Sequence, residues 1–308
     1  MKSHLFSRPT KVLFIALLAL TLSNQLNAQR SYPPEIDSDM TIVYKTSEDV
    51  DLKLWIFTPP NHKTHSKAPA IVFFFGGGWN AGSPEQFVHH CEYLAARGML
   101  AAVADYRVKT RNNVKANVCV SDAKSAVRYL REHAGELGVD PDRIAAGGGS
   151  DGGHLAAATS TLTLFDEQNE NLSISSIPNA ALLFNPVLVL APIGIETSTE
   201  LEKFKNMPGR LGANPEDMSP YHNITSEIVP TVIFHGTDDK TVPFKSVEAY
   251  EKKMLDHGNT CILHTYEGEG HGFFNYGRKD NGTYVSTVAL MDQFLVELGW
   301  LNALPQPM

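Results

Sequence analysis

The sequence predicts an α/β protein: a mostly parallel, twisted sheet of about eight strands with helices on both faces. Three observations predict it. Continuous apolar runs at 70–75 and 100–104 suit strands buried on both faces. Stretches of helical periodicity separate such runs along most of the chain, the alternation that builds parallel sheets. The 308 residues are 43% hydrophobic and 19% charged, with 23 Gly and 18 Pro, which fits a turn-rich globular domain and excludes a disordered chain, a multi-pass membrane protein or a fibrous repeat.

Residues 1–28 read as a secretory signal, leaving 29–308 as a single domain. Lys2, Arg8 and Lys11 are basic, 12–22 is an apolar run too short for a bilayer core of about 30 Å, and Ala28 offers a small residue for cleavage. The expectation is an exported protein, periplasmic or secreted in a bacterium, with no stable membrane span after signal removal. The signal holds three of the 26 Lys+Arg and none of the 34 Asp+Glu, so its loss moves the net charge from −8 to −11. So acidic a chain has no electrostatic footprint for nucleic acid.

Residues 41–45 and 52–57 alternate apolar and polar, as an antiparallel edge pair does. A helix is expected from Pro84 to Arg97 between the strands 70–75 and 100–104. The spacing of Ala123, Ala126, Val127, Leu130, Ala134 and Leu137 predicts the next helix, with Ser121 as its N-cap. Ile144–Ala146 is a short strand, followed by a helix from His154. Strands are expected at 180–185, 231–235 and 261–265, and helices at 246–255 and 285–298. Residues 187–228 break the rhythm with Pro192, Pro208, Pro215 and Pro220, which predicts an insertion or cap between two strands, where substrate walls form.

Cys91, Cys119 and Cys261 are an odd set for an exported chain. Either Cys91 and Cys119 form a bridge or all three are buried thiols. His62, His65, His89 and His90 read as solvated surface side chains. None has partners at metal-ligand spacing, and no metal or cofactor is expected.

The chemistry sits in four segments. Gly148, Gly149, Ser150, Asp151 and Gly152 match G-x-S-x-G between a strand and a helix, where a strained turn exposes the Ser hydroxyl beside a helix N-terminus. Gly76, Gly77 and Gly78 follow the strand 70–75. Without Cβ atoms, their backbone can turn N–H groups toward a developing oxyanion, with Gly77, Gly78 and the Asp151 amide as donors. Asp238 and Asp239 follow the strand 231–235, and Asp239, just before Val242 and Pro243, is favoured as the residue that orients a base. His271 stands among glycines after the last strand. Trp79, Tyr221 and Phe274 adjoin these loops or the insertion, either as pocket lining or as core. The order Ser150, Asp239, His271, each after a strand, is specific as a set.

On these segments, over roughly residues 50–300, the chain resembles an α/β-hydrolase of the acetyl-esterase/lipase group, related to bacterial hormone-sensitive-lipase-like and feruloyl- or acetylxylan-esterase-like enzymes. The resemblance implies Ser150 as nucleophile, His271 as base, Asp239 as its partner, and the amides of Gly77, Gly78 and Asp151 as oxyanion hole. It departs in two places. Phe75 stands where such relatives usually have His, and Asp151 where they usually have Ala, so its charge should point away or be paired. The expected function is an exported serine carboxylesterase for short-acyl or aromatic-acyl esters of a small molecule or oligosaccharide. The rivals are an amidase or peptidase on the same residues, or a silent binding protein.

Overall fold

Eight strands pair into one sheet: β1 (Met40–Ser47), β2 (Val50–Phe57), β3 (Ala68–Phe74), β4 (Leu100–Ala104), β5 (Val139–Gly149), β6 (Ala180–Phe184), β7 (Thr231–Gly236) and β8 (Cys261–Tyr266). Their order is β1-β2-β4-β3-β5-β6-β7-β8. β1, β2 and β4 are joined antiparallel, and every pair from β4 to β8 is parallel. This is a computed structural model, and it describes residues 32–47, 49–197 and 207–304. The expected signal segment lies outside the described residues. Those from Ile36 onward belong to one compact unit.

The two-residue side-chain period of the strands divides the core into two faces. Leu54, Ile56, Val72 and Phe74 pack on one face with α2 (Ala116–Glu132), α3 (Asp151–Thr161) and α4 (Phe244–Asp256). Trp55, Phe57, Ile71 and Phe73 pack on the other with α1 (Val88–Arg97) and α5 (Gly282–Glu297). Cys91 belongs to the second face and Cys119 to the first. The sheet lies between them, so they cannot bridge, and all three cysteines are free and buried.

Some boundaries differ from the sequence expectation for identifiable reasons. α2 begins at Ala116, because Ala116, Cys119 and Val120 continue its buried stripe, and Ser121 sits inside the helix. The segment from Pro84 enters as a 3₁₀ turn, Pro84–Phe87, whose Glu85 N–H donates to the Ser83 hydroxyl. α3 begins directly at Asp151. His90 is fully buried among Phe73, Phe87, Phe184 and Tyr284, and burial pulls its pKa down to about 3. The described part of 187–228 holds three short helical turns, Met207–Leu211, Pro215–Met218 and Pro220–Asn223.

A buried charge cluster ties β1 and the β4 loop to α2. Asp122 accepts from Arg107 Nη2 at 2.7 Å and pairs with Lys45 Nζ at 2.9 Å, with no exposed surface of its own. Removing one member leaves uncompensated buried charge. Asp122→Ala is expected to cost about 3–5 kcal/mol, read as a lower denaturant midpoint.

Candidate active site

The site is assembled where β3, β5, β7 and β8 end. β5 runs into α3 through Ser150, held at φ 58° and ψ −119°, a conformation that side-chain-bearing residues keep only under constraint. The constraints are backbone hydrogen bonds: Ser150 N–H donates to Phe184 O at 2.9 Å, and the amides of His154 and Val187 donate to Ser150 O. The turn also presses on β3, where a Cβ on Gly152 would lie 2.1 Å from Phe74 O. Only glycine fits there.

His271 reaches this point from the loop after β8. Its Nε2 lies 2.9 Å from Ser150 Oγ, and its Nδ1 lies 2.7 Å from Asp239 Oδ2. With Nδ1 protonated toward the carboxylate, Nε2 is free to accept the Ser150 proton. Asp239 Oδ1 accepts from the amides of Thr241 and Val242. Burial opposes its ionisation, but the hydrogen bonds from His271 and these amides prevail and hold its carboxyl below the usual range. Asp238 points outward and pairs only loosely with Lys240, at 3.7 Å.

Residues that the sequence reading did not single out hold this line in place. Asn185 Oδ1 accepts the Gly272 N–H, and Arg278 donates to His271 O. Gln86 accepts the Gly76 N–H and donates to Asn275, whose side chain donates to Gly272 O. One polar chain thus couples the glycine loop to the histidine loop. A polar side chain on a short turn carries no distinctive sequence signal, so only proximity reveals it.

The expected oxyanion hole requires a correction. The Gly77 and Gly78 amides are both occupied: each donates to Asp151 Oδ1 at 2.5 Å, and the Trp79 amide donates to Asp151 Oδ2 at 2.7 Å. The Tyr106 hydroxyl adds a contact at 3.1 Å. Gly77 has φ +148°, and a Cβ there would sit 2.0 Å from Ala81 O, so the loop can converge its amides only with glycine at this point. The result is a nest of N–H groups around an internal carboxylate. Burial pushes the Asp151 carboxyl above its ordinary range, against the pull of the Trp79, Gly78 and Gly77 amides. The Asp151 amide itself, at the first position of α3, has no intrahelical acceptor.

A chamber of about 330 Å³ opens beside Asp151. Its walls are Trp79, Val187, Leu188, Val189, Ile193, Ile195, Val242 and Pro243, with Arg210 at its edge. Most of these come from the insertion. A wider polar cleft of about 710 Å³ lies across the glycine loop and is lined by Lys109, Asn113, Lys115 and Arg210. Phe274 lines neither space: it is buried, and its ring supports the Ser150 turn, the nucleophile elbow, from beneath, where a Cβ on Gly149 would meet it at 2.5 Å. Tyr221 also lies outside the chamber, its ring covered by Lys253 at 4.4 Å. Among the described residues no cluster of His, Cys, Asp or Glu is placed to hold a metal ion.

Sheet, elbow and loops together define an α/β-hydrolase of the esterase/lipase group. The chain belongs to the BD-FAE family, whose family model matches residues 54–254. Esterase 2 of Thermogutta terrifontis, in its apo form, superposes with a TM-score of 0.84 at 50% identity, covering 89% of this chain and 100% of that one. An acetylxylan esterase of Xylanibacter ruminicola is 25% identical over 96% of this chain and 55% of its own length. A probable isoprenylcysteine alpha-carbonyl methylesterase of Arabidopsis thaliana is 27% identical over 75% of this chain and 50% of its own. The chain thus spans about half the length of these curated relatives.

Because Asp239 is held ionised by native contacts, its stabilisation is present above the unfolded carboxyl value of about 3.9 and is lost as pH falls through the lower folded value. Asp239→Asn is expected to flatten the acid side of the stability–pH curve, measured by denaturation between pH 7 and pH 3.

Proposed function

We propose that the protein is a serine carboxylesterase acting on short-acyl esters, with acetylated carbohydrate as the favoured natural form. The observation that carries this reading is the line Ser150 Oγ, His271 Nε2, His271 Nδ1, Asp239 Oδ2, with contacts of 2.9 and 2.7 Å. His271 takes the Ser150 proton as the hydroxyl attacks the ester carbonyl, and Asp239 stabilises the imidazolium. His271 then returns the proton to the leaving alcohol. In the second half it activates water against the acyl-enzyme. The Asp151 amide, next to Ser150 at the positive end of α3, is the backbone donor assigned to the oxyanion.

The chamber supports the acyl assignment. About 330 Å³ of space with mostly apolar walls beside Asp151 accepts a small acyl group. Structures of the Thermogutta terrifontis esterase 2 are described as propionate bound and butyrate bound. The polar cleft beyond the glycine loop suits a hydroxyl-rich alcohol, and a curated relative is an acetylxylan esterase. We extend the proposal to export, supported by the basic and apolar pattern of 1–28. Its test is the N-terminal residue of the protein recovered from the periplasm or medium, expected to be Gln29.

Hydrolysis of p-nitrophenyl acetate, butyrate, octanoate and feruloyl esters tests the reaction and its acyl range. Activity is expected to fall steeply beyond butyrate. Ser150→Ala is expected to lower kcat by about 10⁴- to 10⁶-fold. Retention of most activity in that variant would overturn the nucleophile assignment. Asp239→Asn is expected to cost about 10⁴ in kcat, with KM little changed.

A further inference from the structure

We propose that Asp151 sets the rate of this hydrolase: its carboxylate fills the Gly77–Trp79 amide nest, and ester cleavage gains those donors only when the side chain leaves. The inference rests on the serine-esterase reading above and adds a determinant of its chemical step.

Three observations carry it. First, the donors are used up. Each amide has a single hydrogen, and those of Gly77, Gly78 and Trp79 all point at Asp151 oxygens, at 2.5, 2.5 and 2.7 Å. An N–H committed to a carboxylate cannot also stabilise a tetrahedral oxyanion. Second, the occupant is itself anionic and dry. Asp151 is 1% exposed, and the four groups that donate to it, three amides and the Tyr106 hydroxyl, are all neutral. A second negative charge developing on the substrate beside it meets repulsion that water does not screen. Third, the carboxylate has no other task in the reaction, since Asp239 already orients His271.

The chamber supplies the way out. Asp151 lines it together with Arg210, whose guanidinium stacks over the Trp79 ring at 5.4 Å and is anchored on Gly78 O at 2.7 Å. A side chain turning from the nest into that space moves toward a cation and leaves three amides without their internal acceptor.

The test compares the full chain with Asp151→Ala and Asp151→Asn on p-nitrophenyl acetate. Since the freed amides act on the transition state, kcat of Asp151→Ala is expected to rise about 10-fold or more with little change in KM. Sodium formate, a carboxylate small enough to re-enter the nest, is expected to inhibit Asp151→Ala and to leave the wild type unaffected. Asp151→Asn, whose amide oxygen still accepts part of the donor set, is expected to fall between the two. A folded Asp151→Ala with kcat at or below the wild type and no response to formate would overturn the proposal and make Asp151 a clip for the loop. If Asp151→Ala does not fold, a kcat of Asp151→Asn at or below the wild type has the same force. Labelling of Ser150 by a p-nitrophenyl phosphonate separates the two readings. Faster labelling in Asp151→Ala than in the wild type supports the proposal. Equal labelling rates count against Asp151 alone. Failure of Ser150 to label in every variant removes the serine-esterase reading and this inference with it.

Discussion

The site depends on one steric constraint, the contact of the β5–α3 turn with the end of β3. Gly152 lies so close to Phe74 O that a single Cβ would collide at 2.1 Å. This contact lies where the chain reverses from strand to helix within one residue, with Ser150 in its positive-φ conformation between them. Backbone donors from His154 and Val187 on Ser150 O hold the strained residue in place. The strain is local and the support comes from several elements, as expected where geometry serves chemistry. Phe274, expected as pocket lining, acts here as a prop beneath Gly149.

From that fixed point the loops are registered to one another by polar side chains. Asn185 at the end of β6 receives the Gly272 N–H, and Gln86 links Gly76 to Asn275. The loop carrying Asp239 is tied to the loop carrying His271 by the bond from Asp238 N–H to Glu269 O. Loops held in this way keep the two hydrogen bonds of the Ser–His–Asp line in register. Without that support they would sample many conformations, and the proximity advantage would be lost.

Asp151 gives the site a different electrostatic state from the one a bare glycine loop would have. A nest of amides favours an anion, and here the chain supplies one from its own helix. The insertion completes the arrangement, since its residues Val187 to Val189 and Arg210 form much of the chamber that borders Asp151. The chamber and the amide nest are therefore neighbouring surfaces that share Gly78, Trp79 and Asp151.

Much of this was legible in the sequence because it is written in local patterns. Two-faced apolar runs marked the parallel strands, alternation marked the antiparallel edge, and the glycines flanking Ser150 marked the turn where a Cβ cannot fit. The order of Ser150, Asp239 and His271 after successive strands pointed to residues that the structure brings within hydrogen-bonding distance. What sequence could not decide was direction and distance between segments far apart in the chain. Nothing local says that Asp151 turns its carboxylate into a nest formed more than 70 residues earlier. Nor does anything local say that Cys91 and Cys119 lie across the sheet from each other, or that Tyr221 turns away beneath Lys253. Period and propensity are properties of neighbours along the chain, whereas the orientation of a side chain is decided by whichever partner the packed sheet brings to it.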